Sequence, residues 1–181
     1  MDQQIPALDW THFKQVTRSS PSFSSLNCDL KNGKNYREQL NLVTSFLDAS
    51  HVYGNTRVKS DQLRLMSNGF LKTTPGLSSQ KDYLPTIFYL NEDTKNPMSD
   101  QCSKTNKSIS CFVTGDTRAS ENLGLASVHT LFVREHNRIA SQLAVFNPSW
   151  SDELLFHEAR RILIGIYQHI IYKEWVKELI A

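Results

Sequence analysis

The sequence has no long apolar run: nothing in it approaches the roughly 18 consecutive residues that a bilayer-spanning helix needs, so no transmembrane segment is expected. Its first residues, MDQQIPALDW, lack both a basic start and an apolar stretch, and so do not read as a secretory signal. An excess of one charge is missing too. Twenty Lys and Arg against eighteen Asp and Glu leave a net charge of +2, too balanced for a nucleic-acid-binding patch. No internal repeat appears.

Cysteine is scarce. Three is an odd count, so at least one has no partner within the chain. Cys102 and Cys111 bracket a polar loop, SKTNKSIS, which can close as a small disulfide ring, leaving Cys28 over. Inside that loop Asn106-Lys107-Ser108 is an N-glycosylation sequon. Together these favour an oxidising, secretory setting.

What is present suits a folded domain. At 181 residues, 39% hydrophobic and 21% charged, the chain is long and apolar enough for one sizeable core. Residues 1–35 are rich in Ser, Asn and Gly with little periodicity and read as an irregular arm. Residues 36–54 mix apolar and small polar positions, and 57–67 read as a short helix ending before Asn68-Gly69. From about 70 to 110 the chain is loop, with short extended pieces around Tyr83–Leu90.

Two long helices follow. Over 117–145, Leu125, His129, Phe132, His136, Ile139, Ala140 and Leu143 share one face, Asp116 is a plausible N-cap, and Asn147-Pro148 ends the run. The next starts near Ser151, with Asp152 and Glu153 where the helix dipole favours acids. Its expected buried stripe is Leu155, Ala159, Ile162, Ile166 and Ile170. It runs into Trp175, Leu179 and Ile180 without a capping Gly or a following Pro, which reads as an internal piece of a longer domain.

The residues with the most chemistry lie at 115–140. Arg118 and Glu121 are three apart and point to the same side. A permanently cationic Arg can stabilise negative charge developing on a bound oxygen species; equally, the two can be a plain surface ion pair. His129 and His136 invite reading as metal ligands, but helical rise puts them roughly 16 and 27 Å along the axis from Arg118, so a packing role is expected.

The wording of this segment is more specific than its spacing. Gly115-Asp116-Thr117-Arg118-Ala119-Ser120-Glu121, followed by His129-Thr130-Leu131-Phe132-Val133-Arg134-Glu135-His136-Asn137-Arg138-Ile139-Ala140, resembles the animal haem peroxidases. The resemblance implies that Arg118 is the catalytic distal arginine and that Glu121 forms an ester to a haem methyl. The next residue is Asn122, not the methionine of the myeloperoxidase type, so no sulfonium link is implied. Arg134 and Arg138 are expected as internal ion-pair partners.

Arg37-Glu38-Gln39 through Gly54 is similar to a second signature of the same family. Thr44, Phe46, Asp48 and Ser50 alternate in a way that suits an oxygen cage, although a turn capped locally by Asp and Ser explains the pattern as simply. By resemblance, calcium would be held by the side chains of Thr44, Asp48 and Ser50 and the Phe46 carbonyl. Weaker likeness at Thr17–Pro21, Glu158–Ile162 and Gln168–Tyr172 extends the match over roughly 11–180.

The resemblance implies an all-α, mainly helical partial peroxidase domain over 36–181 with long irregular loops, carrying haem b and calcium. Its expected partners are hydrogen peroxide and a small reducing substrate or a protein, and it would be secreted. The family's distal D-H-D segment and proximal histidine do not occur in the matching places, so the chain alone is expected to be inactive. Two other readings stand beside this one: a non-catalytic, peroxidase-like secreted binding or matrix protein, and a helical interaction module using the face of 151–180.

Overall fold

The computed structural model describes residues 43–76, 81–86 and 111–180. The chain divides into two units, Met1–Val43 and Thr44–Ala181, and every helix among the described residues belongs to the second. The arm expected over 1–35, the Asn106 sequon, Cys28 and Cys102 lie outside the described residues. Cys111 is disulfide-bonded.

Two short helices come first. Helix α1 is Ser50–Tyr53, entered through Ala49 in the left-handed region (φ 53°). Helix α2 is Arg57–Leu63; Thr56 Oγ1 caps it by accepting from the Lys59 amide at 3.2 Å. It stops short of the expected Ser67. Arg64 turns extended and bridges Leu71, while Met66 and Asn68 take φ of 58° and 55°, which no α-helix accommodates.

Helix α3 is Leu123–Phe146. It begins six residues later than expected, because Asn122 is the N-cap, its Oδ1 accepting from the Leu125 amide at 2.9 Å. Asp116 is not the cap: its carboxylate is occupied by Arg118. The Asn147–Ser151 connection leads into helix α4, Asp152–His169, which starts where expected, packs on α3 and is capped by Ser151 Oγ. A π-helical segment, Ile170–Trp175, and helix α5, Val176–Ile180, follow.

Among the described residues there is no strand, only isolated antiparallel bridges at Arg64–Leu71, Thr74–Tyr83 and Thr86–Phe112. The all-α class is therefore met. The largest fully buried side chains are Tyr53, Phe156, Leu84, Leu163, His136 and Val52. The α4 stripe is met at Leu155 and Ala159, both buried, and at Ile166, which packs against the core, but not at two other positions. Ile162 and Ile170 are 39% and 42% exposed, and Phe156 and Leu163 fill the core in their place. A one-residue step is a 100° turn on a helix, enough to exchange a buried for an exposed position.

The start of α4 is stitched to the end of α2. Arg64, 4% exposed, donates from Nη2 to Asp152 Oδ2 at 2.8 Å and from Nη1 to Glu153 Oε2 at 2.6 Å, with its guanidinium 4.2 Å over the Phe156 ring. Asp152 Oδ1 also accepts from the Gly69 amide at 2.6 Å. Gly69 cannot carry a side chain: its φ is +69° and a Cβ would fall 2.6 Å from the Phe156 nitrogen.

Candidate functional site

The 115–121 segment is placed by α1. The Gly115 amide donates to the Val52 carbonyl at 3.2 Å, and the Asp116 amide to the His51 carbonyl at 2.9 Å. Such close backbone approach requires glycine at 115, since a Cβ there would collide with the Ser50 carbonyl oxygen and the Gly54 nitrogen. The two segments that resemble family signatures, 44–54 and 115–121, are thus joined backbone to backbone.

Asp116 faces Arg118 with both oxygens. Oδ1 accepts from the Arg118 amide at 2.8 Å and from its Nε at 3.0 Å; Oδ2 accepts from Nη2 at 2.7 Å. The Arg118 hydrogen bonds hold the Asp116 carboxyl down to about 2 and raise Arg118 above the ordinary guanidinium range. Among the described residues Arg118 Nη1 carries no hydrogen bond, and the side chain is 62% exposed. Glu121, exposed as well, is joined to Arg118 by a turn in which its amide donates to the Arg118 carbonyl at 2.8 Å. Its charge adds to the field on the guanidinium, but the bonded partner of Arg118 is Asp116. Leu123, 87% exposed, follows on the same open stretch. Arg118, Glu121 and Leu123 are thus all exposed on one short stretch of chain.

The 44–50 loop brings its four expected residues into one turn, held by local bonds. Thr44 Oγ1 accepts from the Phe46 amide at 3.1 Å, and Asp48 Oδ1 from the Ser50 amide at 3.0 Å. Phe46 is 78% exposed. Asp48 is the one carboxylate of the set, and among the described residues no three His, Cys, Asp or Glu side chains converge as a metal site.

The histidines of α3 are structural. His136, fully buried, has Nε2 2.9 Å from the Gly69 carbonyl and Nδ1 2.8 Å from Tyr53 Oη. A carbonyl only accepts, so Nε2 carries the proton and Nδ1 accepts from the phenol. Burial takes its pKa down to about 4 and pushes the Tyr53 hydroxyl well up. His129 donates from Nδ1 to the Leu125 carbonyl at 2.7 Å and stands edge-on to His51, ring centroids 5.2 Å apart. His51 rests against Phe132 and Tyr167 as well, and burial together with the His129 charge lowers it to about 4.

Of the two arginines expected in internal ion pairs, Arg138 pairs with Glu135 at 2.6 Å on the surface. Arg134 does not. It donates to the Asp82 and Lys81 carbonyls at 2.6 and 3.0 Å and lies over the Tyr83 ring, because it meets the backbone of a loop rather than an acid. Sequence reasoning missed Asp116 as the partner of Arg118 by assigning it to helix capping; the i,i+2 spacing in an Asp-Thr-Arg turn was the available signal. A separate cavity of about 360 Å³, lined by Asp48, Arg64, Glu153, His157 and Arg160 among others, does not include Arg118 or Glu121.

Comparison with known proteins defines the class. Residues 2–181 match the family model for the animal haem peroxidase, and the chain belongs to that family. It is 44% identical over 143 residues to peroxidasin homolog pxn-1 of Caenorhabditis elegans, covering 78% of this chain and 11% of that one. Human lactoperoxidase is 41% identical over 147 residues, covering 80% of this chain and 20% of the relative. Among solved structures, peroxidase A from Dictyostelium discoideum superposes with a TM-score of 0.65 at 30% identity, over 88% of this chain and 30% of the other. The Oryza sativa fatty acid alpha-dioxygenase, 22% identical with a TM-score of 0.55, shares the fold. The chain thus spans between a tenth and a third of these relatives. Among the described residues no helix is long and apolar enough to cross a membrane.

Proposed function

We propose that this chain is the central part of a haem-dependent peroxidase, contributing the cation and the linking acid of the peroxide site. The observation that carries this is the pairing at Arg118: Nε and Nη2 are fixed by Asp116, Nη1 carries no hydrogen bond among the described residues, and Glu121 three positions on is exposed. Bound haem would supply the iron at which hydrogen peroxide is reduced while a small or protein substrate is oxidised. Arg118 orients the peroxide and offsets negative charge that develops on the departing oxygen. Glu121 presents its carboxylate to the macrocycle edge, the position where the family forms an ester. Asn122 offers no sulfur for a second link.

Calcium, when bound, would be held in part by the side chains of Thr44, Asp48 and Ser50 and the Phe46 carbonyl, with Asp48 as the charged ligand and a second carboxylate needed from elsewhere. Secretion fits the disulfide at Cys111 and the sequon at Asn106.

The flanking transcript tests the reading. It should encode a D-H-D stretch upstream and a histidine-bearing helix downstream. The product should show a Soret band and peroxide-driven phenol oxidation that falls by about a hundredfold or more in Arg118→Ala. A product that takes up no haem would instead establish a peroxidase-like binding or matrix protein; full turnover in Arg118→Ala would remove the role given to that side chain.

A further inference from the structure

Arg118 is the more exposed partner of its ion pair and Asp116 the more buried one: 62% against 19% of each side chain is exposed. A long, exposed arginine ordinarily samples many rotamers, and exposed pairs hold it weakly. Here the acid is not free to follow it. The Asp116 amide is bonded to the His51 carbonyl, its own carbonyl accepts from Thr114 Oγ1 at 2.7 Å, and the preceding Gly115 is bonded to Val52 with no room to shift. The carboxylate then grips Arg118 at three points, the backbone amide, Nε and Nη2. A fork held by two parallel charge-assisted bonds has a fixed plane, not merely a fixed position.

We propose that Asp116 is the positioning residue for Arg118: it borrows the rigidity of α1 and the 44–54 loop to set the plane of the guanidinium, so that Nη1 is the donor left for the reacting oxygen. This rests on the functional reading above. It also gives the backbone junction between the two family segments a purpose, since whatever stiffens the 44–54 loop also stiffens Arg118. Asp116 touches neither macrocycle nor peroxide in this scheme and acts only through the arginine.

The test uses the chain itself. In ¹⁵N spectra the Arg118 Nε–H of the native protein should exchange with water about fivefold or more slowly than that of the exposed, lightly paired Arg57, whose contact to Asp61 is 3.6 Å. In Asp116→Asn, which keeps the side-chain shape and the His51 backbone bond but puts an NH2 in place of one carboxylate oxygen, the charged two-oxygen grip is lost and that protection should fall about twofold or more. The backbone amides of Gly115 and of the substituted position should stay protected, which shows that the variant is folded; Asp116→Ala repeats the measurement should that variant unfold. Arg118 Nε protection that is undiminished in folded Asp116→Asn and in folded Asp116→Ala overturns the inference.

Hemin is then added to both proteins. Paramagnetic broadening of the Arg118 and Glu121 signals in the native protein, weakened at Arg118 in Asp116→Asn, is the expected result. Lost protection in Asp116→Asn with no broadening in the native protein would leave the geometry standing but overturn the haem reading, and with it the purpose assigned to Asp116.

Discussion

Tyr53 donates a 2.8 Å hydrogen bond to Nδ1 of His136, 83 residues further along the chain, and so ties α1 to the middle of α3 inside the core. Both groups are buried, and the phenol has no other bonded partner among the described residues. Tyr53→Phe preserves the ring packing against Phe156 but strands the imidazole lone pair. The expected loss is about 1–3 kcal/mol, read from urea unfolding, because an orphaned buried acceptor costs its full desolvation. Unchanged stability would mean that the bond adds nothing.

His136 also dictates how the fold responds to acid. Burial lowers it to about 4 from 6.5, the nearby Arg160 and Arg64 push the same way, and the bond to Gly69 opposes them. Between those values the unfolded chain holds a proton that the folded chain does not. Stability is therefore complete above about pH 6.5, falls as the pH drops towards 4, and levels off below that. The span is worth about 3 kcal/mol. His51, lowered to about 4 chiefly by burial, adds loss in the same window. Unfolding free energies at pH 7.5, 5.5 and 4.5 should decline in that order; equal values at 7.5 and 4.5 would contradict neutral burial.

Much of this arrangement was legible in the sequence, and the reasons differ by element. Helices α3 and α4 announce themselves by apolar spacing and by Ser151, a cap that needs only its own next three residues. The family segments at 44–54 and 115–140 were readable from wording alone. What could not be read was which partner a side chain chooses. Asp116 looks like a cap until Arg118 is seen to use both its oxygens, and Arg134 looks like an ion-pair partner until the 81–82 carbonyls are seen beneath it. Likewise the α4 stripe holds at Leu155 and Ala159 but takes Leu163 in place of Ile162, because apolar spacing reveals the period of a helix but not the exact direction from which its neighbours approach.

Arg64 predicts a large, local energetic penalty. It is buried, and it answers two carboxylates, one of which also caps the Gly69 amide. Its loss empties a packed site over the Phe156 ring and leaves Asp152 and Glu153, 29% and 58% exposed, without their guanidinium. Arg64→Ala should therefore destabilise far more than Arg138→Ala, whose pair with Glu135 is exposed and screened by solvent. Comparable melting temperatures for the two variants would show that Asp152 and Glu153 find water instead.

Two glycine substitutions should act in opposite directions. At Gly115 an added methyl meets the Ser50 carbonyl and the Gly54 nitrogen, both backbone atoms that cannot step aside without parting α1 from the 115–116 segment. Gly115→Ala is expected to lose about 2–4 kcal/mol and to expose the Asp116 amide to exchange. Gly165 sits in the interior of α4 with nothing within 4 Å of its would-be Cβ. There alanine only removes the conformational freedom of the unfolded chain, and Gly165→Ala should raise stability by about 0.5–1 kcal/mol. Thermal unfolding of the two variants beside the native chain separates the cases: Gly165→Ala must melt higher and Gly115→Ala lower. A Gly115→Ala protein that melts with the native chain would show that α1 and the Asp116 turn are not packed backbone to backbone, and the frame that holds Arg118 would have to be sought elsewhere.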